Sequence, residues 1–275
     1  MNLLPLAIYI AAGLAYAVHF ARRQPSVART ATTLLMLGVL AHTFVIGMQT
    51  MEVRHVPFAN PSRAISTFVW LLTLAYLYLE LTTEERGMGV FILPVVIVLQ
   101  LIPAINPGTE YADPVLDSPW FWVHVSSLLF AYASFALAGV LGLTYVLQFK
   151  EIKKKHLGYL YTRLPSLQML DVMNSRAVAV GWLFLTVGVT VGVIWAAQAR
   201  ALAPDDPNLQ AMAPGDPKIL FAILTWGVYS FGMYARRRMG WSGRRAALLS
   251  AVGFVIVLLN FLPLNYFVTT SHTFQ

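Results

Sequence analysis

The chain has 275 residues, 58% of them hydrophobic and only 11% charged, a balance far outside that of a water-soluble domain, so its solvent is a lipid bilayer. It has no cysteine, which excludes disulfides, thiolate metal sites and a Cys-x-x-Cys-His haem attachment. The net charge of +7 is distributed as membrane topology requires, and it gives no support to a nucleic-acid partner.

In chain order, apolar runs predict spans at Leu3–His19, Ala31–Gln49, Ser66–Leu81, Met88–Ala104, Trp122–Phe149, Ala177–Ala197, Ile219–Tyr234 and Ala246–Phe267. Each approaches the roughly 20 residues that cross a bilayer as helix. The runs at 66–81 and 219–234 are short, which leaves them tilted, extended by loop residues or re-entrant. The start, MNLLPLAIYI, lacks a basic segment before its apolar run and reads as a retained span. The expected fold is all-α: one polytopic transmembrane helical bundle over residues 1–275, with about eight spans. Fifteen of the nineteen Lys and Arg residues fall in alternate connections, beginning with Arg22, Arg23 and Arg29 and ending with Arg244 and Arg245. The others keep only Arg54, Arg63, Arg200 and Lys218. Because cations in short loops stay cytoplasmic, both termini are expected outside, with the chain in the inner (cytoplasmic) cell membrane.

Three outer connections end in a capping residue followed by proline: Asn60-Pro61, Ser118-Pro119 and Asp216-Pro217. Each suits a helix start, because the cap accepts a free backbone N–H and proline fits the first helical position. If Pro119 opens the fifth helix, Trp120 and His124 lie four apart on one face near the outer surface.

Six histidines compete for chemical roles. His19 and His156 sit beside basic inner residues and read as solvated, and His55 reads as outer surface. His42 lies mid-span, where a polar group needs a partner: either an interhelical hydrogen bond or a buried metal or haem ligand. His124 and His272 fall at the same membrane face, one opening the fifth span and the other following the eighth. Two imidazoles approaching from opposite sides suit a six-coordinate haem iron; two unrelated interfacial histidines are the other reading.

Four segments, 122-WVHVSSLLFAYASFALAGVLGLTYVLQ-148, the loop 163-RLPSLQMLDVMNSRAVAVGW-182, 241-WSGRRAALLSAVGF-254 and 261-FLPLNYFVTTSHTF-274, together resemble the cytochrome c assembly protein family, most closely its short, HemX-like branch. The resemblance implies haem handling at the outer face. His124 and His272 match the family's external axial ligands, and His42 resembles its intramembrane haem-receiving histidines. The family's outer loop carries several tryptophans leading into Trp-Asp-Pro-Lys, a surface for the porphyrin. Here Trp195, Asp216, Pro217 and Lys218 remain, but the interior tryptophans are replaced by a stretch with three prolines and Asp205-Asp206. The implied cofactor is haem b, weakly or transiently held. The implied partners are haem, an apocytochrome or a cytochrome c assembly protein, and the lipid bilayer. A non-catalytic membrane scaffold with a degenerate haem site is the alternative. Any enzymatic role is as part of a haem-delivery or cytochrome c synthetase complex.

Overall fold

The computed structural model describes residues 1–53, 60–108, 118–154, 158, 161–202 and 217–261. They form helices α1 (Leu3–Arg22), α2 (Pro25–Val53), α3 (Pro61–Thr83), α4 (Gly89–Ile105), α5 (Pro119–Lys153), α6 (Leu167–Leu202), α7 (Pro217–Arg238) and α8 (Arg244–Phe261), with no strand among the described residues. Helices α1, α2, α3, α5, α6 and α7 contain stretches long and apolar enough to cross a membrane, and α4 is a shorter apolar helix of 17 residues.

The helix ends follow local chemistry. Asn60 is extended, and its Oδ1 accepts the Ser62 N–H at 2.8 Å, with Pro61 at the first helical position. Ser118 is also extended before Pro119, but its hydroxyl makes no capping hydrogen bond, so the proline alone starts α5. Asp216 lies outside the described residues, although Pro217 does open α7. At the far end of α1, Arg23 turns left-handed (φ 54°) and returns its N–H to the His19 carbonyl at 2.7 Å.

The short runs at 66–81 and 219–234 are resolved as extended, uninterrupted helices of 23 and 22 residues. The segment 163–182, read from sequence as a loop, is corrected: α6 begins at Leu167, ten residues before the expected span. Ser166 caps it by accepting the Met169 N–H on its hydroxyl at 3.2 Å. Two polar residues of its first turns, Asp171 and Asn174, are engaged across helix interfaces. Arg236 donates to the two Asp171 carboxylate oxygens at 3.0 and 2.5 Å. Asn174 donates to the Ala138 carbonyl at 2.8 Å and accepts from Ser250 at 3.0 Å. Polarity that looks like a loop is here a set of interhelical bonds.

Successive helices alternate in direction. At one face, Asn2 beside α1 donates to the Pro103 carbonyl of α4 at 2.9 Å, and Ser62 of α3 bonds the Asn106 carbonyl. At the other, Arg163 caps α1 by donating to the Phe20 and Ala21 carbonyls. Helices α1–α4 pack around one another, α5–α8 do likewise, and α3 against α5 joins the two groups. The basic helix ends, including Arg22, Lys153 and Arg236–Arg238, gather at the second face, which is the more cationic of the two.

Helix α5 is the core element, with 72% of its most apolar window buried. It packs on α6, α8 and α3, and a helix covered on most sides needs apolar residues most of the way round rather than one stripe. Small residues permit the close approach: a Cβ on Gly142 would stand 2.5 Å from the Ala247 carbonyl of α8, and one on Gly139 2.6 Å from Phe254. Gly142→Leu should therefore separate α5 from α8 and cost about 1–3 kcal/mol, by analogy with overpacked cores. A lower unfolding temperature in detergent, with Gly47→Leu unchanged because no atom lies within 4 Å of its Cβ position, is the expected result.

Candidate functional site

The start of α5 and the end of α6 bring aromatic side chains around one imidazole. His124 is the sixth residue of α5, roughly 8 Å along the helix from Pro119. Its Nδ1 lies 2.7 Å from the Gly188 carbonyl of α6. A carbonyl only accepts, so Nδ1 carries the proton and Nε2 is left with its lone pair. No described hydrogen bond engages Nε2. An imidazole tethered through one nitrogen to a backbone carbonyl, with the other nitrogen basic, is the usual arrangement of a metal-ligating histidine.

The surroundings are aromatic and close. The Trp195 indole, 6% exposed, lies nearly parallel to the imidazole at 16° with centroids 6.4 Å apart. Phe121 packs on Trp195 at 5.1 Å and edge-on against Trp122 at 5.2 Å. Gly188, Gly192 and Trp195 stand at i, i+4 and i+7, one face of α6, and meet Phe121, His124 and Leu128 at i, i+3 and i+7 of α5. A Cβ on Gly192 would collide with the imidazole ring. Gly192→Val should thus displace His124 and break its bond to Gly188. An altered imidazole nitrogen chemical shift in selectively labelled protein, unaccompanied by loss of helix content, is the measurement.

The second histidine site is sealed. His42 of α2 is fully buried; its Nδ1 lies 3.1 Å from the Tyr9 hydroxyl and its Nε2 2.9 Å from the Ser66 hydroxyl. Tyr9 also meets the Thr73 hydroxyl at 3.2 Å. The geometry is that of an interhelical hydrogen-bond bridge joining α1, α2 and α3. Iron ligation by His42 would require one of those hydroxyls to leave.

Of the other residues singled out in the sequence, Trp195 lies beside His124, whereas Trp120 is 43% exposed and makes no described ring contact there. His272 and Asp216 lie outside the described residues. Arg63, one of four outer cations, stands 3.5 Å from Glu52. Sequence reasoning missed Phe121, Gly188 and Gly192; the Gly-x-x-x-Gly spacing, a signal of close helix approach, could have found the pair.

It also missed Glu80, a carboxylate 1% exposed inside the bundle. Tyr16 donates to its Oε2 at 2.6 Å and Thr32 to its Oε1 at 2.5 Å, while Arg86 donates to the Thr32 hydroxyl at 3.0 Å. The group ties α1, α2, α3 and the following turn together near the second face.

Among the described residues there is no cluster of three or more His, Cys, Asp or Glu that could hold a bare metal ion. A porphyrin supplies its own equatorial nitrogens and asks the protein only for axial ligands and apolar surface; His124 fits the first demand, with the buried Trp195 packed beside its ring. Fold and site together define a multi-pass helical membrane protein presenting an aromatic-flanked imidazole at one membrane face. The family model described as "Cytochrome C assembly protein" matches residues 6–272, and the chain belongs to that family. It is 25% identical over 259 residues to the cytochrome c biogenesis protein CcsA of Guillardia theta, covering 87% of this chain and 83% of that one. It is 23% identical to CcsA of Gloeobacter violaceus over 98% of this chain and 93% of the relative, and 26% identical to CcsA of Chlamydomonas reinhardtii over 87% and 67%. The chain is thus a membrane protein of cytochrome c biogenesis.

Proposed function

We propose that the protein holds haem b at the outer face of the cytoplasmic membrane, with His124 and His272 as axial ligands, and presents it to an apocytochrome or an assembly partner. The observation that carries this reading is the His124 Nδ1–H donated to the Gly188 carbonyl, which leaves Nε2 basic on a ring that lies alongside Trp195. Haem is cargo here. His124 supplies a fixed ligand from a rigid helix, the partly exposed Phe121 supplies apolar surface for the macrocycle edge, and the buried Trp195 backs the imidazole. His272 belongs to the chain after α8, whose outer end faces the same side of the bilayer as the start of α5. His42, bonded on both nitrogens, is a transit station at most, taking iron only when Tyr9 or Ser66 releases it. With interior tryptophans absent between Trp195 and Asp216, less flat surface is available, so holding should be weaker than in relatives that keep them.

Titration of the purified full-length protein with haem tests the proposal. A low-spin, six-coordinate spectrum is expected, converting to a high-spin, five-coordinate one in His272→Ala. The absence of any Soret shift in the wild-type protein would support the scaffold with a degenerate site instead. Orientation is tested separately, because the chain has no cysteine of its own: Lys154→Cys should resist, and Ser271→Cys accept, an impermeant thiol reagent in intact cells. The reverse pattern overturns the outer-face assignment.

A further inference from the structure

The segment 241-WSGRRAALL-249 takes no part in the site just described, yet it forms a defined surface. Between α7 and α8 the chain makes a turn with two left-handed glycines, Gly240 (φ +66°) and Gly243 (φ +58°). Met239 and Trp241 return their N–H groups to the Ala235 carbonyl at 3.0 and 3.1 Å, and the Gly243 N–H donates to Asp171 at 3.0 Å. The turn is therefore built and anchored. It encloses an open cleft of ≈ 460 Å³ lined by Gly240, Trp241, Ser242, Arg244, Arg245 and Leu248.

The charges in that cleft are not neutralised. The nearby carboxylate, Asp171, is occupied by Arg236 and the Gly243 N–H. The Arg244 guanidinium lies over Phe149 at 5.5 Å and that of Arg245 over Trp241 at 5.8 Å, and neither forms a salt bridge among the described residues. Both arginines are exposed, as are Arg237 and Arg238 behind them. Directly beside this charge the helix flanks turn apolar: Leu248 is 42%, Phe231 46% and Tyr234 59% exposed. The cleft therefore straddles the line where helix surface changes from hydrocarbon-facing to water-facing, with an indole at that line.

We propose that this turn is a binding site for one anionic glycerophospholipid, its phosphodiester held by Arg244, Arg245 and the Ser242 hydroxyl and its acyl chains lying along Leu248 and Phe231. Two forked guanidiniums suit phosphate oxygens, and the lack of any described acidic partner favours a headgroup of net negative charge over a zwitterionic one. The apolar flank favours a lipid over free phosphate, which has nothing to place there.

Native mass spectrometry of the full chain in detergent with added palmitoyl-oleoyl phosphatidylglycerol or phosphatidylcholine tests this. One phosphatidylglycerol should be retained per chain where phosphatidylcholine is not, and excess inorganic phosphate should not displace it. Arg244→Gln/Arg245→Gln should weaken retention roughly thirtyfold, from about fivefold per cation at a membrane surface. Lys153→Gln/Lys154→Gln, which removes the same charge from exposed residues at the same face, should leave it within about twofold. Equal losses in the two variants would reduce the effect to general surface charge and overturn the site, as would displacement by phosphate alone. A Soret change with added haemin that disappears in the arginine variant would assign the cleft to haem carboxylates and overturn it too. As a check that does not require the arginine variant to fold, a spin label on Met239→Cys, next to the cleft and 52% exposed, should be immobilised by phosphatidylglycerol and not by phosphatidylcholine; an indifferent label overturns the proposal.

Discussion

His124→Gly should lose haem affinity by more than the roughly 10–100-fold that removal of a ligand's hydrogen-bond partner costs, and free imidazole should restore much of it. The imidazole is held by one bond to the Gly188 carbonyl and by the Trp195 face, so both anchors survive when the side chain is removed. The vacated space abuts Gly188 and Gly192, where no Cβ intrudes, and exogenous imidazole has the same donor to offer the carbonyl. Optical titration with and without imidazole measures it. His19→Gly, at the opposite end of α1, should leave the titration unchanged. Affinity in His124→Gly equal to wild type would remove this histidine from the site.

Glu80→Ala should be the most destabilising single change in the first helical group, by about 2–4 kcal/mol. The loss leaves the Tyr16 hydroxyl buried without its acceptor and deprives Arg86 of the carboxylate it reaches through Thr32. Orphaning one buried donor costs roughly 1–3 kcal/mol, and the side-chain volume adds a cavity. Thr32 suffers less, because its hydroxyl also reaches the Ala28 carbonyl at 3.1 Å. Two comparisons give the prediction its content. Glu80→Gln keeps a carbonyl acceptor for Tyr16 and should cost less than Glu80→Ala. Tyr16→Phe in the Glu80→Ala background removes the orphaned hydroxyl and should cost less than it does in the wild type, a coupling that a double-mutant cycle of unfolding temperatures in detergent reads directly. Additive effects would show that the bond contributes nothing net.

The membrane character, the helical class and the eight helices of the described residues follow from the sequence alone, because the bilayer demands about 20 apolar residues per crossing and forbids unpaired backbone, so the pattern is written locally. Helix starts at Pro61, Pro119 and Pro217 were legible for the same reason: a proline fits the first turn whatever surrounds it. His124 stands out in the sequence by its place at a helix mouth and a family likeness, and Trp195 by the likeness alone; their juxtaposition is not legible there, since 71 positions separate them and only the close approach permitted by Gly188 and Gly192 brings the rings together. The same dependence on packing explains the misreadings. Asp171 and Asn174 look like loop residues in a one-dimensional reading, but Arg236, Ala138 and Ser250 satisfy them across helix interfaces, and α6 continues through them. Glu80 looks like a charge at the end of an apolar run, and becomes a buried knot only when Tyr16 and Thr32 arrive from two other helices. His42 was poised in the sequence between a hydrogen-bond bridge and an iron ligand. Tertiary structure sets its resting state, because Tyr9 and Ser66 stand at its two nitrogens, and a buried polar group takes the partners that packing provides.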